Sequence, residues 1–285
     1  MRRRDLLVAG AALAAAPALA APPRRMVALE WSIVSMLLSL GLPPVGMPEI
    51  AAYGTWVVEP RVPAGVQDVG VKTEPNLEAV AALRPDLILI SPLSRPIVPQ
   101  LESIAPVREV AIYTEAREPV RLATEGLRDL GALLGREPEA DAVIRRCEAV
   151  FASARSALAR RGDRPCLLIS FLDAQHIRVF GHGSLFADVL GRVGLQDAWR
   201  GPSNVWGFTL GGLAEIAAYP EARILVAEPD PSGIAQSLDG PGLWRRLPAV
   251  RAGRTARLPA AWHYGDLVAA ARFAASLPHA LREAA

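Results

Sequence analysis

The chain is poor in the residues from which catalytic and metal sites are usually built. It has two cysteines and four histidines in 285 residues. His176, His182, His263 and His279 form no H-x-H or H-x-x-x-H pair, so the common spacing for direct metal capture is missing. There is no G-x-S-x-G elbow and no P-loop. Gly181-x-Gly183 follows a strand pattern, but Phe186 stands where a dinucleotide fingerprint needs its third glycine, and Ser184 suits a helix N-cap. These absences give no positive support to an enzyme or to a resident cofactor. The net charge is only +2 and the basic residues are scattered, which leaves no footprint for nucleic acid. Past the N-terminus, no segment reaches the ~18 unbroken apolar residues of a spanning helix.

The scarce cysteines are not expected to pair. Cys147 lies on a predicted helix that continues to about Arg160, roughly 20 Å further on, and Cys166 opens the following strand. That separation exceeds the ~7 Å between Cα atoms that a bridge allows. Two buried thiols are expected instead.

The N-terminus reads as a targeting segment over residues 1–20. Arg2-Arg3-Arg4 precedes an apolar run from Leu6 to Ala16, and Ala18-Leu19-Ala20 has the A-x-A form of a cleavage site. Arg3-Arg4-Asp5-Leu6-Leu7 has the form of a twin-arginine export signal. No Cys follows as a lipid anchor. A soluble periplasmic product, a monomer, is expected.

Apolar residues make up 51% of the chain, enough for a large core. One supersecondary unit occurs twice. Asn76–Leu83 has helical spacing, stops at Arg84-Pro85, and runs into the apolar strand Leu87–Ile90. Much later, Leu213–Pro220 precedes the strand Ala222–Ala227 in the same way. A unit repeated once in each half predicts two similar α/β lobes, and a cleft between them. Residues 137–161 read as one long helix, about 35 Å. Val143, Cys147, Val150, Phe151, Ala154 and Leu158 line one face, with acids at its start and arginines at its end. The expected organisation is an N-terminal lobe at 24–136, a linking helix at 137–161 and a C-terminal lobe at 162–285. The fold class is therefore α/β, with two Rossmann-like lobes on one helix.

The first lobe is expected to contain strands at 26–30, 67–69, 87–90 and 109–113, with helices at 32–40, 97–104 and 120–134. Residues from the first helix to Val62 read as a loop. In the second lobe, strands are expected at 166–171, 177–180, 222–227 and 255–258, with helices at 185–193, near Leu243 and at 265–282. Trp199–Phe208 reads as an aromatic loop.

Four of the six tryptophans fall where strands give way to helices or in long loops. Trp31 ends a strand, and Trp56, Trp206 and Trp262 lie in loops, with Tyr53 and Tyr264 nearby. Ligand-contacting residues of α/β lobes cluster in such places. Together these side chains predict an apolar wall with hydrogen-bonding edges.

Several segments resemble a known family. Val27-Ala-Leu-Glu-Trp31, Asp68–Glu78 with its Thr-Glu-Pro-Asn-Leu-Glu, Phe180–Phe186, Ser203-Asn-Val-Trp-Gly207, Pro248–Arg254 and Pro259–Gly265 are similar to periplasmic ferric-hydroxamate (ferrichrome-type) siderophore-binding proteins, which serve ABC importers. These belong to the helix-linked binding proteins, and the resemblance spans the mature chain. It implies a shallow aromatic cleft and a metal held only through its chelator, with no protein ligand. With the aromatic loops, the expected ligand contacts are Trp31, Tyr53, Trp56, Asn204, Trp206, Trp262 and Tyr264. Lys72 stands where the family usually has Arg, and Ser94, with Arg95 beside it, where it has Tyr. Lys lacks the bidentate fork of Arg, although Lys72 and Arg95 still offer charged donors. These departures leave open a carboxylate or mixed-type siderophore. The resemblance also implies one acid per lobe that pairs with the inner-membrane permease, Glu78 on the first and Glu215 on the second. Other ligands remain as alternatives: haem, with His263 or Tyr264 as axial ligand, cobalamin, or a catecholate chelate. The alternative of another kind is an exported, cofactor-dependent enzyme.

Overall fold

A computed structural model describes residues 22–159, 164–240 and 242–283. The predicted export segment, residues 160–163 and the last two residues of the chain lie outside them.

The first lobe is a five-stranded parallel sheet. Its strands are β1 (Met26–Ala28), β2 (Gly46–Met47), β3 (Gln67–Asp68), β4 (Leu87–Ile90) and β5 (Val107–Glu109), in the order β3-β2-β1-β4-β5. Every residue of β1 and β4 is buried, as strands covered on both faces require. Helix α3 (Leu77–Ala82) begins where the Asn76 side chain accepts from the Ala79 N–H at 2.9 Å. Pro85 follows its end, and the next strand lies beside β1 at the sheet's centre. Two elements differ from expectation. The 41–62 stretch carries a helix, α2 (Ile50–Trp56), and the segment after β4 opens as a 3₁₀ turn at Pro92–Ile97 before the short helix α4 (Val98–Glu102).

The second lobe is a mixed sheet, which the alternation of strands and helices did not predict. Its strands are β6 (Cys166–Phe171), β7 (His176–Phe180), β8 (Phe208–Gly212), β9 (Arg223–Ala227) and β10 (Thr255–Leu258), in the order β10-β9-β6-β7-β8. β10, β9 and β6 are parallel, whereas β6-β7-β8 is an antiparallel meander. β8, whose first residue Phe208 closes the stretch read as an aromatic loop, is the edge strand. Helices α7 (Leu185–Arg192), α8 (Leu213–Ala217), α9 (Ile234–Asp239), α10 (Leu243–Arg246) and α11 (Pro248–Arg251) belong to this lobe.

Helix α6 (Glu137–Leu158) joins the lobes, and it packs along α12 (Leu267–Glu283) and α5 (Pro119–Leu134). Its buried face includes Val143, Cys147, Phe151 and Leu158, the predicted stripe. Both cysteines are buried free thiols, and burial pushes them up to about 12 at Cys147 and about 11 at Cys166.

Asp266 anchors α12. Its carboxylate accepts from the Ala269 N–H at 3.1 Å, while Oδ2 is buried without a partner beside Ser35. Burial raises this group from 3.8 to about 6. The native state therefore holds the proton more tightly than the unfolded chain does. Stability from this source is complete below about pH 4 and is lost as pH rises through about 6. Asp266→Asn keeps the capping oxygen and removes the charge. We expect it to stabilise the protein at pH 7.5 by up to roughly 3 kcal/mol and to flatten the fall in stability between pH 4 and pH 6.5. Urea unfolding across that range checks this.

Candidate ligand-binding cleft

The loops that follow β1, β3, β4 and β5 meet those flanking β8 and following β10. Between them lies a cavity of about 250 Å³. Its polar floor comes from the first lobe. Glu30 ends the β1 segment and caps helix α1 (Trp31–Ser39), accepting from the Trp31 N–H at 2.9 Å. Lys72 enters from the loop after β3. Asp68 braces that loop, accepting from the N–H groups of Glu49, Ile50 and Gly70 at 3.2, 2.9 and 2.9 Å.

Lys72 is already engaged. Its Nζ lies 3.3 Å from the Trp31 ring centroid, 4.5 Å from that of Trp262 and 3.6 Å from Glu49 Oε2. Burial holds Lys72 below its ordinary range, opposed by the charges of Glu30 and Glu49. Burial raises Glu30 in turn, with Lys72 as the main opposing influence. Two carboxylates thus face one ammonium at the floor.

Aromatic side chains supply the walls. Trp206, Tyr264 and Tyr113 form a cluster, with centroids 5.3 Å apart for Trp206–Tyr264 and 5.6 Å for Tyr113–Trp206. Trp262 continues it at 5.2 Å from Tyr264, and Phe208 completes the second-lobe side. Leu93, Pro92 and Ile112 give the first lobe its apolar rim. Tyr113 also ties the lobes together, because its hydroxyl lies 3.1 Å from the His263 carbonyl and 3.0 Å from that of Gly265.

The Trp206 loop is locally determined. Asn204 Oδ1 accepts from the N–H groups of Trp206 and Phe208 at 3.0 and 3.2 Å. Gly207 has φ +76°, and a Cβ there would meet Ser184 N at 1.9 Å, so only glycine lets this turn sit on the start of α7.

Of the predicted contacts, Lys72, Trp206, Trp262 and Tyr264 line the cavity. Trp31, Tyr53 and Trp56 stand behind them. Trp31 packs 4.8 Å from Trp262 and donates its indole N–H to Pro48. Tyr53 is buried with its hydroxyl on the Pro60 carbonyl. Trp56 packs 5.9 Å from Trp262. Three residues are displaced from the expected place. Ser94 is buried within the 3₁₀ turn, which turns Leu93 and Pro92 toward the cavity instead. Arg95 points away and forks onto Glu109 at 2.7 and 2.8 Å. Asn204 is spent on its own turn. Glu30, Tyr113 and Phe208 were missed. An acid ending a buried strand beside a tryptophan was the available signal for Glu30. The strand expected at 109–113 includes Tyr113, whereas β5 ends at Glu109 and leaves Tyr113 in the following loop.

His263 does not line the cavity, which removes the geometric basis for an axial haem ligand there. It is buried against Trp262, Tyr264 and Phe180, and burial holds it well below its ordinary range.

Residues 26–261 match the periplasmic binding protein family (Peripla_BP_2). The chain belongs to that family. It is 36% identical over 266 residues to the iron(3+)-hydroxamate-binding protein FhuD of Escherichia coli (strain K12), covering 93% of this chain and 90% of that one. The Fe3+–Desferal-bound siderophore-binding protein FhuD from Vibrio cholerae superposes with a TM-score of 0.86 at 30% identity, covering 92% of this chain and 99% of that one. The Fe(3+) dicitrate-binding periplasmic protein FecB of Escherichia coli (strain K12) is 26% identical over 242 residues, covering 80% of this chain and 74% of that one. The two α/β lobes described above are the fold of this family of binding proteins. Among the described residues, no helix is long and apolar enough to cross a membrane.

Proposed function

We propose that the protein captures an Fe(III)-hydroxamate siderophore in this cleft, in the periplasm, and delivers it to an inner-membrane ABC importer. The observation that carries the reading is the wall formed by Trp206, Tyr113, Tyr264 and Trp262 around a cavity with a small polar floor. Such a wall suits a bulky chelate with an apolar periphery and a polar, metal-bearing centre. The similarity to the iron(3+)-hydroxamate-binding protein of Escherichia coli and to the Fe3+–Desferal-bound protein of Vibrio cholerae supports this ligand class. Iron enters inside its chelator, and the protein contributes shape, aromatic contact and a few donors. Among the described residues no group of three or more His, Cys, Asp or Glu side chains is placed to hold a metal ion. The role is binding rather than catalysis, and the working unit is a monomer.

Glu78 and Glu215 are exposed, each in the first turn of its helix, α3 on one lobe and α8 on the other. They are the proposed contacts for arginines of the permease.

The reading is tested by following tryptophan fluorescence while the mature protein is titrated with ferrichrome, a linear ferric hydroxamate, ferric citrate and a ferric catecholate, with cobalamin and haemin as controls. Saturable quenching by the hydroxamates is expected. Saturable binding of another class, with none by hydroxamates, would overturn the ligand assignment.

A further inference from the structure

Among the described residues, two cations at or near the cleft already face carboxylates. Lys72 faces Glu49 and Glu30, and Arg95 forks onto Glu109. Arg178, in the middle of β7, is different. No carboxylate of the described residues pairs with it. Its Cζ lies 4.8 Å from the centroid of Phe208, its Nη1 lies 3.5 Å from His263 Nε2, and its Nε is buried without a hydrogen-bond partner. His263 is neutral in its buried setting and does not answer the charge. Phe208 and Tyr264 both line the cavity, and Arg178 is close enough to Tyr264 to oppose the burial that raises its hydroxyl. A full positive charge without a counter-ion therefore stands one side chain behind the second-lobe wall. An uncompensated, partly desolvated charge is costly, and an anion arriving beside it relieves that cost.

We infer that Arg178 is a specificity-determining residue that recognises a negatively charged group on the bound chelate, a carboxylate arm, at the Phe208–Tyr264 side of the cleft. This rests on reading the cleft as a ferric-chelate site. Three hydroxamates neutralise Fe(III), so the charge of such a ligand is set by its tail. The protein then favours tails of negative charge, and it also accepts carboxylate chelates.

The test varies only the tail. Wild type, Arg178→Leu and Arg178→Lys are titrated with ferric desferrioxamine B, which carries an ammonium, with its neutral N-acetyl derivative, with its anionic N-succinyl derivative, and with ferric citrate. Wild type is expected to bind the N-succinyl form about ten-fold more tightly than the ammonium form. Arg178→Leu should weaken the N-succinyl complex about ten-fold while leaving the N-acetyl complex within about two-fold, and Arg178→Lys should restore part of the loss. Retained N-acetyl binding shows that the Leu variant is folded. If it does not fold, the order of tails on wild type decides, and equal affinities for all three overturn the proposal. Equal effects of Arg178→Leu on the N-succinyl and N-acetyl forms overturn it as well. If no hydroxamate binds but ferric citrate does, the ligand class proposed above falls, and Arg178 is judged on ferric citrate: a ten-fold loss in Arg178→Leu sustains it, and an unchanged affinity overturns it. Binding of none of the four overturns both readings.

Discussion

Trp206→Ala is expected to weaken ferric-hydroxamate binding by about 2 kcal/mol or more, roughly 30-fold, with little change in thermal stability. Trp206 is half-buried, lines the cavity and touches the other two walls of the aromatic cluster, Tyr113 and Tyr264. Its loop is built by Asn204 and Gly207, which do not depend on the indole. The substitution therefore removes contact area at the centre of the site without opening the core. Trp56→Ala should behave differently. Trp56 packs behind Trp262 and does not line the cavity. Its loss should cost stability more than affinity. Calorimetric titration together with thermal melting separates the two cases, and a Trp56→Ala protein that binds more weakly than Trp206→Ala at equal stability would contradict this ordering.

Lys72→Met is the second large effect, and it falls on folding. The Lys72 side chain is only 16% exposed, and its ammonium is the cation that faces both Glu49 and Glu30. Removing one partner of a buried ionic group leaves the others uncompensated, a loss of about 3 kcal/mol. The pH dependence follows from Glu30. Its carboxyl is already raised by burial, and Lys72 is the main influence holding it down. Without Lys72 it rises further. A raised carboxyl contributes stability at low pH that is lost as pH climbs through the folded-state value. The deficit of Lys72→Met should therefore be small near pH 5 and grow toward pH 8. Urea unfolding of wild type and variant at both pH values measures this, and an equal deficit at the two would show that the ionic group is not its source. In a protein that still folds, affinity for a neutral chelate should fall less than in Trp206→Ala, because the ammonium is already committed to Glu49 and to the Trp31 ring.

Much of this architecture is written locally in the chain. Leu87–Ile90 and Thr255–Leu258 match the strands read from sequence, and Cys166–Phe171 is buried at every position, as continuous apolar runs imply. The edge strand β8 carries little strand signal, because Phe208-Thr-Leu-Gly-Gly212 ends in two glycines. Helix α2 is masked for a similar reason, since Gly54 and four aromatic or β-branched residues, Ile50, Tyr53, Thr55 and Trp56, weaken its helical signal. At the site, the tryptophans could be placed in the right loops, but not in the right layer. Whether Trp31 or Trp206 faces the ligand depends on which lobe's loop folds over which. The roles of Ser94 and Arg95 were lost to tertiary detail, a 3₁₀ turn that buries one and a carboxylate fourteen residues on that captures the other. Arg178 was invisible for the same reason. Its lack of a carboxylate partner among the described residues depends on which side chains the fold brings to β7.

In the proposed function, the inter-lobe cleft holds iron through a chelator and without a protein ligand. Anomalous diffraction at the iron edge, from crystals grown with a ferric hydroxamate, tests it most directly. The expected result is one iron peak between the Trp206–Tyr264 wall and the Glu30–Lys72 floor, ligated only by chelator oxygens. An iron atom bound directly by a side chain, or a peak lying outside the cleft, would contradict it.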